Sequence, residues 1–143
     1  MSFLGKVKKK LRNGSWYPFY NTFYEKNNLD PHMILLESRS GKALESNILS
    51  LLKELCQEPY RSFTLVLSVH RDSENEIKEK LQKNSIQGVR FVRTGSVAYY
   101  HALSRAGYLV NDTSFPGRFI KKEGQIYLNT WHGTPLKKMG RDN

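Results

Sequence analysis

Short apolar runs alternate with amphipathic stretches along the chain from Asp30 onward. Runs rich in branched apolar side chains predict buried strands, whereas apolar residues spaced three or four positions apart predict helices. A loop is predicted over 38–42, between the first strand and the first helix. The predicted strands are 33–36, 63–69, 89–92, 109–110 and 126–128, and the predicted helices are 44–55, 73–83 and 96–106, the last one ending at Gly107.

Strands that alternate with helices of about ten residues are typical of βαβ units. The pattern therefore predicts an α/β fold with a Rossmann-like, mainly parallel sheet and helices on both faces. In a sheet of this kind, ligands bind beyond the carboxyl ends of the strands. With 143 residues, the chain is long enough for one domain with a hydrophobic core, which we assign to residues 29–143.

Residues 1–28 form a basic and aromatic segment ahead of that domain. Phe3 and Leu4 fall on the apolar face of a predicted amphipathic helix that also carries Lys8 and Lys9, and Trp16 opens the aromatic run that follows. Such a segment suits an anionic membrane surface, which attracts basic side chains and buries apolar ones to a shallow depth. The alternative is that the aromatic residues pack the segment onto the domain core.

The net charge of +10 is concentrated near the two ends of the chain and indicates an anionic partner. RNA ranks last among such partners, because the sequence has no RNP1 run, no KH-type Gly-x-x-Gly loop and no arginine-rich tract. We therefore expect no nucleic acid partner. Cys56 is the only cysteine and no Cys/His set has zinc-ligand spacing, so we expect no metal ligands and a cytoplasmic location.

The strongest local signal is the run 126–138, which predicts a strand, a tight loop and the start of a helix. Thr134 is a favourable N-cap and Pro135 is tolerated at the first helical position. A helix terminus favours phosphate, and a neutral His132 beside it can accept a proton from a hydroxyl, as phosphoryl transfer to an alcohol requires. The alternative is a histidine that is only packed or hydrogen-bonded. The predicted phosphate-binding residues are Gly133, Thr134, Lys137 and Lys138.

The run Trp-His-Gly-Thr-Pro-Leu-Lys-Lys-Met-Gly-Arg-Asp, over residues 131–142, resembles the signature of the CDP-glycerol glycerophosphotransferase family. Members of that family polymerise teichoic acid backbones and related capsular polymers. Shorter stretches within 37–42, 96–100 and 108–116 also resemble the family. Altogether the resemblance covers residues 30–142.

The resemblance implies the first Rossmann-like domain of a GT-B arrangement, with His132 as the base that activates the acceptor hydroxyl. It also implies CDP-glycerol as the donor, a lipid-linked polyol-phosphate acceptor and a peripheral position on the inner face of the cell membrane. Gly41 is assigned to substrate binding by resemblance alone. In the family, a second domain binds the nucleotide, so we expect this chain to be truncated at its carboxyl-terminal end, to bind no cofactor and to be inactive by itself.

Several alternatives stay open at this point. Arg118, Lys121 and Lys122 either steer an anionic polymer toward His132 or form a solvated face. A related transferase could use CDP-ribitol or a sugar nucleotide instead of CDP-glycerol. A protein of another class, a non-catalytic module that binds anionic polymer or membrane without turnover, would also have this charge pattern.

Overall fold

The computed structural model describes residues 23–116 and 119–131, which form a five-stranded sheet with flanking helices. The strand order is β3-β2-β1-β4-β5, and every neighbouring pair runs parallel. The strands are β1 (Asp30–Glu37), β2 (Thr64–Val69), β3 (Arg90–Arg93), β4 (Ala106–Asn111) and β5 (Ile126–Asn129). The helices that follow strands are α1 (Ser46–Leu55), α2 (Glu74–Lys83) and α3 (Val97–Arg105), and residues 23–26 are also helical.

The sheet is covered on both faces, and the alternation of side chains in β1 shows why. Leu35 and Leu36 are both fully buried, yet neighbouring residues of a strand point to opposite faces. Leu36 lies in the apolar cluster formed with α1 and α2, whereas Leu35 lies in the cluster formed with α3. A continuous apolar strand is what a parallel sheet with two covered faces requires.

The order in which the chain adds strands to the sheet reverses between β3 and β4, while all strands stay parallel. From β1 it proceeds outward to β2 and β3, and it then returns through α3 to place β4 on the other side of β1. Loops therefore diverge at the carboxyl ends of β1 and β4. A crevice at such a switch point is where open parallel sheets bind ligands.

The predicted α/β fold, with a parallel sheet and helices on both faces, is confirmed. The predicted end of the third helix was wrong, because Gly107 does not cap α3 but lies inside β4. A Cβ atom on Gly107 would lie 2.8 Å from the carbonyl oxygen of Asp30, so a glycine is required where β4 passes the start of β1. The helix passes directly into the strand at Ala106.

Residues 23–27 pack against the α3 side of the domain. Phe23 and Tyr24 contact the apolar cluster on that face, and the Phe23 ring meets the His101 ring edge to face at 5.5 Å. The Asn27 side-chain amide donates to Ser104 Oγ at 2.9 Å. Packing onto the core, the alternative to membrane contact, is thus observed for Phe23 and Tyr24.

The membrane-contact residues predicted from the sequence, namely Phe3, Leu4, Lys8, Lys9 and Trp16, lie outside the described residues. Within the described part of the chain, no helix is both long enough and apolar enough to cross a membrane.

Candidate functional site

A row of polar side chains crosses the sheet at the carboxyl ends of its strands. Ser68 of β2, Glu37 of β1, Asn111 of β4 and Asn129 of β5 are aligned in register. The last three close their strands, and Ser68 is the next-to-last residue of β2. Residues aligned in this way carry their side chains on the same face of the sheet. The row therefore lies at the carboxyl edge of the sheet, on the face that α3 covers.

Glu37 is the ionisable member of the row and is only 1 % exposed. Burial raises the pKa of the Glu37 carboxyl, hydrogen bonds from the Ser68 and Tyr99 hydroxyls lower it in part, and the charge of Asp112 raises it further. Ser68 Oγ also lies 2.7 Å from Thr94 Oγ1, which extends the hydrogen-bonded row to the end of β3. A buried carboxyl with a raised pKa holds its proton to a higher pH than an exposed one.

Asp112, directly after β4, forms hydrogen bonds with the loop after β1 at the switch point. Its side chain is fully buried, and it accepts a hydrogen bond from Ser38 Oγ at 2.6 Å and another from the Arg39 N–H at 2.7 Å. Ser38 Oγ in turn accepts from the Glu45 N–H at 2.9 Å. Short bonds to a carboxylate are among the stronger ones in proteins, so Asp112 holds the loop after β1 against the end of β4.

Gly41 lies in the same loop and is buried against the ends of β2 and β3. Its φ is +79°, and an added Cβ would lie 2.1 Å from Thr94 Oγ1 and 2.8 Å from the His70 nitrogen. The Gly41 carbonyl accepts the His70 N–H at 2.6 Å. Close packing and a left-handed backbone both require a glycine here. Its assignment to substrate binding stays a prediction.

The chain leaves β5 through residues 129–131, which side-chain amides hold at the carboxyl edge. Asn129 Oδ1 accepts the Trp131 N–H at 2.8 Å, and Asn47 in the first turn of α1 donates to the Trp131 carbonyl at 3.0 Å. The Thr130 N–H donates to the carbonyl of Asn111 at 2.8 Å. Trp131 is thereby bound to β5 and α1, and Thr130 is bound to β4.

The predicted site residues at the motif, His132, Gly133, Thr134, Lys137 and Lys138, lie outside the described residues, as does Arg118. Trp131, the residue before His132, lies at the carboxyl edge of the sheet, where the switch point between β1 and β4 is also found. Gly41 lies at the same edge, in the loop after β1.

Lys121 and Lys122 make contacts within the protein. Lys121 Nζ donates to the carbonyl of Gln125 at 2.8 Å. Lys122 Nζ donates to the carbonyl of Asn27 and lies 5.3 Å from the centre of the Tyr24 ring, and burial lowers its pKa. These contacts hold residues 24–27 against the turn before β5. Steering of a polymer by the two lysines stays a prediction.

His70 is a histidine that the structure describes at the carboxyl edge of the sheet. His70 caps the short turn after β2, where its Nδ1 accepts the Asp72 N–H, and its side chain is 41 % exposed. Among the described residues, no group of three or more His, Cys, Asp or Glu side chains could hold a metal ion.

Sequence reasoning did not single out Asp112, Asn129 or Asn47. A weak signal was present for the first two, because each closes or follows an apolar strand with a polar side chain at the edge where ligands bind. Asn47 gave no such signal, since a polar residue in the first turn of a helix is common.

The model of one family, CDP-Glycerol:Poly(glycerophosphate) glycerophosphotransferase, matches residues 19–143. The chain belongs to this family. Over 123 residues it is 31 % identical to the teichoic acid poly(glycerol phosphate) polymerase of Staphylococcus epidermidis, covering 86 % of this chain and 16 % of the relative. It is also 28 % identical to the teichoic acid glycerol-phosphate transferase of Staphylococcus aureus, covering 95 % of this chain and 33 % of that protein.

Solved structures of the wall teichoic acid polymerase TagF share the fold of this family member. One matches with a TM-score of 0.68 at 26 % identity, and a variant soaked with CDPG matches with a TM-score of 0.70 at the same identity. Each match covers the whole of this chain and 35 % of the TagF chain. The likeness to TagF, an enzyme of the GT-B type, confirms the predicted fold class. The chain thus spans about a sixth to a third of these relatives.

Proposed function

We propose that this glycerophosphotransferase family member is the acceptor-side part of an enzyme of teichoic acid synthesis. The reaction transfers glycerol phosphate from CDP-glycerol to a hydroxyl of a membrane-linked acceptor. The observation that carries the proposal is the fixed position of Trp131 at the switch-point edge, directly before the motif histidine. The family match and the teichoic acid relatives support it.

In the proposed mechanism, the imidazole of His132 takes the proton of the acceptor hydroxyl. The hydroxyl oxygen then forms a bond to the phosphorus that carries glycerol, and the anhydride bond to the cytidylate breaks, which releases CMP. Gly133 and Thr134 would donate backbone N–H groups to the phosphate oxygens, and Lys137 and Lys138 would offset their charge. Stabilisation of charge and positioning of the hydroxyl supply most of the catalysis in such transfers.

The remaining parts of the proposal concern the donor nucleotide, the membrane and the acceptor. The nucleotide is bound by a second domain, carried on the same longer protein or on a separate one, and the coverage of one third of TagF supports this division. Residues 1–28 keep the enzyme at the anionic inner face of the membrane, close to its lipid-linked acceptor. Arg118, Lys121 and Lys122 steer the anionic polymer toward His132.

The test measures CMP release from CDP-glycerol with a glycerophosphate-primed lipid acceptor. It compares the 143-residue chain with a form that continues through the reading frame downstream of Asn143. Activity in the longer form alone supports a split active site. Activity in neither form overturns the CDP-glycerol proposal, and repetition with CDP-ribitol then separates a different donor from a non-catalytic module.

The role of His132 is tested in whichever form is active. His132→Ala should abolish CMP release and leave the affinity for CDP-glycerol nearly intact, because the donor binds through the other domain. His70→Ala is the matched control, since this histidine lies at the same sheet edge with its side chain 41 % exposed. Near-normal turnover in His132→Ala would remove the histidine from the mechanism.

A further inference from the structure

Trp131 has a backbone conformation that its side chain disfavours. Its φ is +58°, in the left-handed region where a Cβ atom crowds the backbone. Residues held in this way persist only when their surroundings impose the conformation, and they occur often at functional sites. Trp131 directly precedes the motif histidine in the chain.

Two asparagine side chains impose that conformation from opposite sides. Asn129 Oδ1 accepts the N–H of Trp131 at 2.8 Å, and Asn47 Nδ2 donates to its carbonyl at 3.0 Å and to the carbonyl of Thr130 at 3.4 Å. Asn129 is itself anchored, because its amide donates to the carbonyl of Thr113. Both peptide groups that flank the Trp131 Cα are therefore bound to side chains.

The carbonyl held by Asn47 belongs to the peptide unit that ends at the nitrogen of residue 132. A peptide unit is planar, so fixing its carbonyl also fixes the direction in which the chain enters that residue. Asn47 lies on α1, and α1 packs on the sheet through Ile48 and Leu52, which are fully buried. A rigid helix thereby sets the orientation of a loop that is more than eighty residues away in sequence.

The geometry points to Asn47 and Asn129 as positioning residues that act through Trp131 on His132. This inference rests on the proposed function, in which His132 is the base. Neither asparagine touches the substrate in this scheme. They fix the peptide unit that leads into His132, and a displacement of about 1 Å in a catalytic group can cost about a hundredfold in rate.

The test uses the form of the enzyme that is active in CMP release. Asn47→Ala and Asn129→Ala should each lower kcat by about tenfold to a hundredfold and change the KM for CDP-glycerol by less than about twofold. Asn47→Asp has nearly the same shape but no amide donor, so it should lose at least as much as Asn47→Ala. The urea midpoint should be unchanged in Asn47→Ala, because Asn47 is exposed.

Asn84→Ala is the matched control. Asn84 also donates its side-chain amide to a backbone carbonyl, that of Lys80 at 2.7 Å, but it follows α2 at the far end from the carboxyl edge. Its replacement should leave kcat unchanged. Amide hydrogen exchange gives a second readout, since exchange at the Trp131 N–H should become at least tenfold faster in Asn129→Ala and stay unchanged in Asn84→Ala.

The outcomes separate this inference from the proposed function. Normal kcat in Asn47→Ala and Asn129→Ala, beside an inactive His132→Ala, overturns the positioning role and leaves the function standing. A fall in kcat that accompanies a lower urea midpoint in Asn47→Ala means a structural role and also overturns the inference. If no form of the protein releases CMP from CDP-glycerol, the proposed function fails and the inference fails with it.

Discussion

Replacing Gly41 by alanine should destabilise the domain through two separable effects. The first is the left-handed backbone, with φ at +79°, which costs a residue with a Cβ atom about 1–2 kcal/mol. The second is overpacking, because the Cβ would lie 2.1 Å from Thr94 Oγ1 and 2.8 Å from the His70 nitrogen. Overpacking in a close-packed site costs about 1–3 kcal/mol. The expected loss in the free energy of unfolding is therefore about 2–5 kcal/mol.

Gly88→Ala is the control that isolates the packing contribution. Gly88 has a similar φ of +76°, but an added Cβ would meet no atom within 4 Å. This variant should lose only the backbone contribution of about 1–2 kcal/mol. With a urea slope of about 1–3 kcal/mol per molar, the midpoint of Gly41→Ala should lie about 1 M below that of Gly88→Ala.

Thr94→Ala in the Gly41→Ala background should restore part of the lost stability, after correction for Thr94→Ala alone. It removes the side-chain oxygen at 2.1 Å, but the backbone nitrogen of His70 at 2.8 Å stays in place. The assay is equilibrium urea unfolding at pH 7, followed by circular dichroism. Equal midpoints for Gly41→Ala and Gly88→Ala would refute the packing argument, and full recovery in the double variant would refute the contribution of the His70 backbone.

The remaining predictions concern the two buried carboxylates. The raised pKa of Glu37 means that its contribution to stability is fully present below its unfolded pKa, near 4.5, and is lost as pH rises through its folded pKa. The stability of Glu37→Gln relative to the parent should therefore increase as the pH is raised from 4 to 8, as measured by urea unfolding. A difference in stability that does not change with pH would contradict this. Asp112→Ala leaves Ser38 and Arg39 without their acceptor and should cost about 2–4 kcal/mol; an unchanged urea midpoint would exclude the proposed tie between the loops.

Local pattern was sufficient to predict most of the fold. The apolar run of β1 and the spaced leucines of α1 each bury against the sheet as their periodicity indicates. The error at Gly107 has a local cause, because a glycine after a helix commonly caps it. Here the glycine is required by the approach of Asp30, which is distant in sequence, and no local pattern carries that information.

The residues of the candidate site also fall into two groups, those that neighbouring sequence predicts and those that depend on contacts between distant segments. The motif that contains His132 is contiguous, so the residue types and the helix start predicted at Thr134 could be inferred from neighbours along the chain. The polar row of Ser68, Glu37 and Asn111 depends on strand register, and register is decided by how three separate strands align. A polar residue at the end of an apolar strand is compatible with many alignments.

Sequence by itself determined the family, the alternation of strands and helices, and the identity of the proposed catalytic histidine, because each of these is written in adjacent residues. Tertiary structure alone decided that Asn47 meets Trp131, that Asp112 joins the loop after β1, and that Gly41 has no room for a side chain. Those contacts form only when the parallel sheet brings the carboxyl ends of all five strands to one edge. The physical reason is that hydrogen bonds and close packing depend on distance in space, whereas periodicity and motifs depend on distance along the chain.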